Sequence, residues 1–207
     1  MKSKKLRLLI AGNETRFAHL KQYIIELEKI GIESKLIYDI EFIDKFLEVN
    51  FKKKIETDRN FKKILKEFDP DAVLLDRISK IGKKVIEQNI PLLILLRGNY
   101  WEESSWAEKT IYKSRMKKLA VAKHEQLFDL CLRKSSIILP ISKYLENEVR
   151  KRYPEKNIEL FPADGRDPEE WFSITAQKMK HPCVGLLQGL NIWGKSKELL
   201  TLKNVMK

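Results

Sequence analysis

The sequence predicts an α/β fold: a parallel sheet with helices on both faces. Three observations predict it. Short apolar runs recur with almost no polar alternation, at Leu6–Ala11, Ala72–Leu75, Leu92–Leu96 and Ile137–Leu139. Strands covered on both faces read this way. Between the runs lie stretches with apolar residues at three- and four-residue steps, as in amphipathic helices. Turn formers punctuate the joints, at Gly12-Asn13, Gly31, Asp69-Pro70-Asp71, Asn89-Ile90-Pro91 and Pro140.

Taken in order, Leu6–Ala11 is the first strand and Gly12-Asn13-Glu14-Thr15 the turn out of it. Leu20, Ile24, Leu27 and Ile30 mark a helix ended by Gly31, and Ser34–Tyr38 is the next strand. Residues 40–68 read as one charged helix. Ala72–Leu75 is a buried strand closed by Asp76. A helix carrying Ile78, Ile81, Val85 and Ile86 leads to the central strand Leu92–Leu96. The stretch from Trp106 to Leu132 reads as one long helix. Ile137–Leu139 is a strand, Ser142 opens a helix with Leu145 and Val149, and Pro154 stops it. Ile158–Phe161 is a last short strand, followed by the turn-rich Ala163–Pro168 and by Trp171-Phe172.

With 207 residues, 43% hydrophobic and 34% charged, the chain can bury one good core and part of a second. Its net charge of +12 fits either solvated helix faces or an anionic partner. No zinc finger, RNP aromatics, GXXG clamp or helix-turn-helix pattern accompanies the charge, which disfavours nucleic acid. Cys131 and Cys183 lie far apart, so a reducing cytoplasm is the default reading. No run reaches the roughly 18 apolar residues of a membrane span. The basic start of the chain precedes an apolar run too short for a leader and reads as the first strand. No metal-ligand spacing occurs among His, Cys and carboxylates, and His19, His124 and His181 are isolated in sequence.

The segment Arg97–Trp106, RGNYWEESSW, reads as a chemically loaded loop. In open α/β sheets ligands bind beyond the carboxyl ends of the strands. Arg97 could hold a phosphate or carboxylate there, or pair with a nearby carboxylate; the binding reading is favoured. Gly98 permits a tight turn. Tyr100 and Trp101 offer flat faces to a sugar ring, and Glu102 and Glu103 offer acceptors to hydroxyls. At Gly12-Asn13 a phosphate cradle competes with a plain turn, and the absence of further glycines favours the turn. The 106–132 helix is strongly basic. It can lie on an anionic membrane or simply cover the sheet with a solvated back, and the second is favoured.

From Ser136 to Phe172, strand, helix, strand and turn follow in an order that resembles the close of the N-terminal domain in family-4-like glycosyltransferases of the GT-B fold. Pro140-Ile141-Ser142 and Pro162-Ala163-Asp164-Gly165-Arg166-Asp167, ending at Trp171-Phe172, carry the resemblance. It implies a Rossmann-like acceptor-side domain over residues 1–174 and a linker at 175–182. Residues 183–207 would then be the truncated start of a nucleotide-sugar domain. It implies transfer of a sugar from a nucleotide-sugar donor to a glycan or lipid-linked acceptor, with no bound cofactor and no metal. Arg97, Gly98, Asn99, Tyr100, Trp101 and Glu102 would serve the acceptor side. Gly12, Asn13, Gly189 and Lys195 would serve the donor phosphates, helped by a helix N-terminus.

In the family the loop after the fourth strand sometimes supplies a His or Asp base; this loop has neither, so the catalytic residue is unassigned, with Glu102 or Glu103 as the substitutes at hand. The family's arginine before the donor helix falls on Leu190. Residues 183–207 cannot form a core of their own, so a missing C-terminal half is expected. The location implied is cytoplasmic, with peripheral contact at the inner face of an anionic membrane left open. The alternative is a non-catalytic basic α/β domain binding an anionic partner.

Overall fold

The computed structural model describes residues 5–13, 17–39, 51–110 and 112–161. The chain divides into two compact units, Met1–Asp167 and Pro168–Lys207, and the second lies outside the described residues. The first is an α/β unit. Its elements are β1 (Arg7–Gly12), α1 (Phe17–Lys29), β2 (Glu33–Tyr38), α2 (Phe51–Phe68), β3 (Ala72–Leu75), α3 (Lys80–Glu87), β4 (Leu92–Leu96), α4 (Tyr100–Thr110), α5 (Arg115–Lys134), β5 (Ile137–Pro140) and α6 (Lys143–Arg152). The five strands form one parallel sheet in the order β2-β1-β3-β4-β5, a Rossmann-like arrangement.

Strand alternation divides the core. Leu9, Val73, Leu75, Leu92, Ile94, Leu96 and Ile138 join Phe61 and Leu65 of α2, Ile81 and Val85 of α3 and Phe128 and Leu132 of α5. Ile10, Leu74 and Leu95 join Leu20 and Leu27 of α1. β1, β3 and β4 therefore bury both sides, which is why their sequences lack polar alternation. Gly31 ends α1 at a φ of +84°, a conformation glycine adopts without a Cβ penalty.

Three local readings change. The expected 106–132 helix is two helices. Ser114 takes an extended conformation and its Oγ accepts from the Lys117 N–H, opening α5 afresh. The expected loop after Arg97 shrinks to Gly98 and Asn99, because Asn99 Oδ1 accepts from the Glu102 N–H at 3.1 Å and opens α4 at Tyr100. Glu102 and Glu103 then sit in a first turn, where negative charge favours a helix. Ile158–Phe161 forms a bridge to Ile138 and backbone bonds along β5 rather than a full strand. Of the expected 40–68 helix, the part from Phe51 is helical, and residues 40–50 lie outside the described residues. Among the described residues no helix is long and apolar enough to cross a membrane.

Helix α6 predicts an acid response. Hydrogen bonds from Lys143 and then Arg150 hold the Glu146 carboxyl below its ordinary 4.5. Bonds from Lys151 and Arg152 do the same for Glu148. A carboxyl depressed in the folded state contributes stability that is fully present above its unfolded value. That stability is lost as pH falls through the folded value. Melting temperature is therefore expected to stay level down to about pH 5 and to fall below it. Glu146→Gln and Glu148→Gln together should flatten that fall, as followed by circular dichroism.

Candidate functional site

The sheet order reverses between β1 and β3. The chain leaves β1 outward to β2, then crosses to β3 and continues the other way. Beyond the carboxyl ends of these two strands is where such sheets form a binding crevice. Ala11 pairs with Leu75, so Gly12 ends β1 level with Asp76, and the Asp76 N–H donates to the Ala11 carbonyl at 2.9 Å. Two residues past Leu95, Arg97 falls on the same face by strand alternation.

There Arg97 donates through Nε to Asp76 Oδ1 at 2.5 Å. The Asp76 side chain is 0% exposed and that of Arg97 10%. Asp76 Oδ2 is buried without a hydrogen-bond partner. Arg97 also lines a small cleft on the α1 face, with His19, Tyr23, Leu74, Leu95 and Phe161. Tyr23 meets Phe161 edge to face at 5.9 Å, closing one side of this cleft. The Asp76 carboxylate thus sets the direction of the guanidinium that borders the cleft. Sequence reasoning saw Asp76 as the end of a strand and left it off the candidate residues. Its signal was an acidic residue directly after an unbroken apolar run, AVLLD.

Gly12 has a packing reason. An added Cβ would run into Leu20 Cδ1 and lie 3.7 Å from Asp76 Cβ, so α1 occupies the space the glycine leaves. Asn13 is half-buried beside it. Gly98 faces the Glu103 carboxylate, whose Oε1 would stand 2.7 Å from a Cβ there.

The aromatic pair at the start of α4 turns inward. The Tyr100 ring lies 4.5 Å from Phe128, and Trp101 lies 5.7 Å from the same ring, edge on. The Arg152 guanidinium stands 4.4 Å over Trp101. Tyr153 donates to Asp129 at 2.8 Å, and burial, helped by that bond, pushes its hydroxyl up to about 12. These faces join α4 to α5 and α6. Burial also raises the Tyr100 hydroxyl, against the nearby charge of Arg77. The rim keeps polar groups. Asn99 Nδ2 donates to the Tyr144 hydroxyl at 2.6 Å, and Glu102 is exposed beside it.

The structure therefore brings Gly12, Asn13 and Arg97 to the strand ends around Asp76, with Gly98, Asn99 and Glu102 along the adjoining rim. It places Tyr100 and Trp101 in packing contacts. Gly189 and Lys195 lie outside the described residues. Among the described residues no three His, Cys, Asp or Glu side chains converge as metal ligands. Cys131 is buried, and burial pushes its thiol up to about 12, which makes it a poor nucleophile.

No family model matches the chain, and no curated protein matches it. Among solved structures, it is similar to the crystal structure of Glycyrrhiza uralensis UGT73P12 complexed with glycyrrhetinic acid 3-O-monoglucuronide. The TM-score is 0.41 and the identity 13%, over 76% of this chain and 48% of that one. The chain spans about half the length of that structure.

Proposed function

We propose that this chain is the acceptor-side portion of a glycosyltransferase of the GT-B class, of the family-4-like kind its Ser136–Phe172 segment resembles. The observation that carries the reading is the Asp76–Arg97 pair at the β1/β3 crossing. A guanidinium fixed through Nε by a buried carboxylate is a preorganised donor for an anionic or hydroxyl-rich ligand. Arg97 also borders the small cleft lined by His19, Tyr23 and Phe161.

In this reading a glycan or lipid-linked acceptor docks along Arg97, Gly98, Asn99 and Glu102. Asp76 is a positioning residue that acts through Arg97. For the nucleotide-sugar donor, the residues the resemblance assigns to its phosphates are Gly12, Asn13, Gly189 and Lys195. The leaving diphosphate draws on Lys195 and backbone N–H groups rather than on a metal. Tyr100 and Trp101 support the rim by packing α4 in place.

The test is binding and transfer with UDP-, GDP- and dTDP-hexoses and an oligosaccharide panel, read by saturation-transfer NMR and by labelled sugar incorporation. Glycan binding is expected, and Arg97→Lys should weaken it about tenfold while the protein stays folded at the assay temperature. A protein that binds neither glycan nor nucleotide-sugar, and transfers no label, would sink the proposal.

A further inference from the structure

The corner between α4 and α5 carries large apolar side chains in solvent. Trp106 is 46% exposed, Tyr112 38%, Met116 71% and Leu119 54%. They fall within one short stretch, whereas the other exposed large apolar residues are scattered along the chain. Helix α4 has no buried residue, and the buried residues of α5 are Phe128, Cys131 and Leu132, in its second half. The second half of α5 therefore ties the helix to the core, while the break at Ser114 turns its first half and the end of α4 outward. Interleaved with the apolar residues are the exposed Lys109, Lys113, Arg115, Lys117 and Lys118. The stretch 106–119 has one acidic residue, Glu108, and Lys118 meets it at 3.5 Å.

We propose that the α4–α5 corner docks the protein on an anionic lipid surface. Trp106, Tyr112, Met116 and Leu119 enter the interface, and the flanking lysines and Arg115 meet the headgroup phosphates. Apolar residues beside basic ones are what an interfacial helix needs, since burial and surface charge then act together. Charge complementarity separates this occupant from the others. A second copy would set the same basic cluster opposite itself across a two-fold interface, which repels. A nucleic acid would use the charges, but it gives exposed Met116 and Leu119 nothing to bury in.

The test is co-sedimentation of the protein with phosphatidylcholine vesicles, with and without about one third phosphatidylserine. Binding is expected to the anionic vesicles, and to fall steeply between about 0.1 M and about 0.5 M salt. Met116→Ser with Leu119→Ser should weaken it about tenfold. Lys113→Gln with Lys117→Gln should weaken it about 30-fold. These side chains are exposed, so an unchanged thermal melt is expected and keeps the comparison clean. Equal partition to neutral and anionic vesicles, or full binding by the apolar double variant, would overturn the proposal. So would a single-stranded oligonucleotide that binds more tightly than vesicles and is indifferent to the serine substitutions. A dimer in sedimentation velocity that those substitutions dissolve would overturn it as well.

Discussion

Arg97→Ala is expected to lower unfolding free energy by about 3–5 kcal/mol, because it strands a buried carboxylate. Asp76 has 0% exposure, its Oδ1 is held by Arg97 Nε, and its Oδ2 is already without a partner. Taking away the guanidinium leaves both oxygens buried beside the ends of β1 and β3. The cost is that of an uncompensated charge, and it exceeds what the pair itself contributes. Asp76→Ala with Arg97→Ala should therefore be less damaging than the two single losses added together. A coupling of about 1–3 kcal/mol is expected from the double-mutant cycle in urea. A loss below about 1 kcal/mol for Arg97→Ala would mean that water screens the pair as it does at a surface.

The second large effect is expected at Phe61, the largest fully buried side chain among the described residues, at 1% exposure. Phe61→Ala should cost about 3–5 kcal/mol, through lost burial and the cavity left behind. The ring belongs to the cluster that joins α2 to Leu9, Val73 and Leu75 of the sheet. Phe61→Leu keeps much of the volume and should recover most of the loss. Urea denaturation of the two variants checks both figures. A Phe61→Ala protein as stable as the parent would mean that α2 does not cover the sheet as described.

Much of the architecture was legible because its signals are local. Ala72–Leu75 and Leu92–Leu96 are strands at the positions their apolar runs mark. Gly31 ends α1, and Ser142 caps α6 through a bond from the Leu145 N–H at 3.3 Å. The start of α4 was legible too, since Asn99 followed by Glu102 is a capping pattern. The aromatic and charged residues after it drew the reading toward a binding loop instead. Likewise Ser114 inside a long basic stretch was a helix start that the continuous pattern concealed.

The sequence by itself determined the α/β class, the positions of β1 to β5 (with Ile158–Phe161 read as a strand too many) and several helix ends. Periodicity, glycine conformation and side-chain caps act within a few residues, so a single chain displays them. The tertiary structure alone decided the strand order β2-β1-β3-β4-β5, and with it the crossing between β1 and β3. It decided that Arg97 finds Asp76, 21 residues away, and that Trp101 spends its face on Arg152. It also decided which half of α5 meets the core and which half meets solvent. Those outcomes depend on which groups desolvate together, a property of pairs brought near by the fold rather than of any one position.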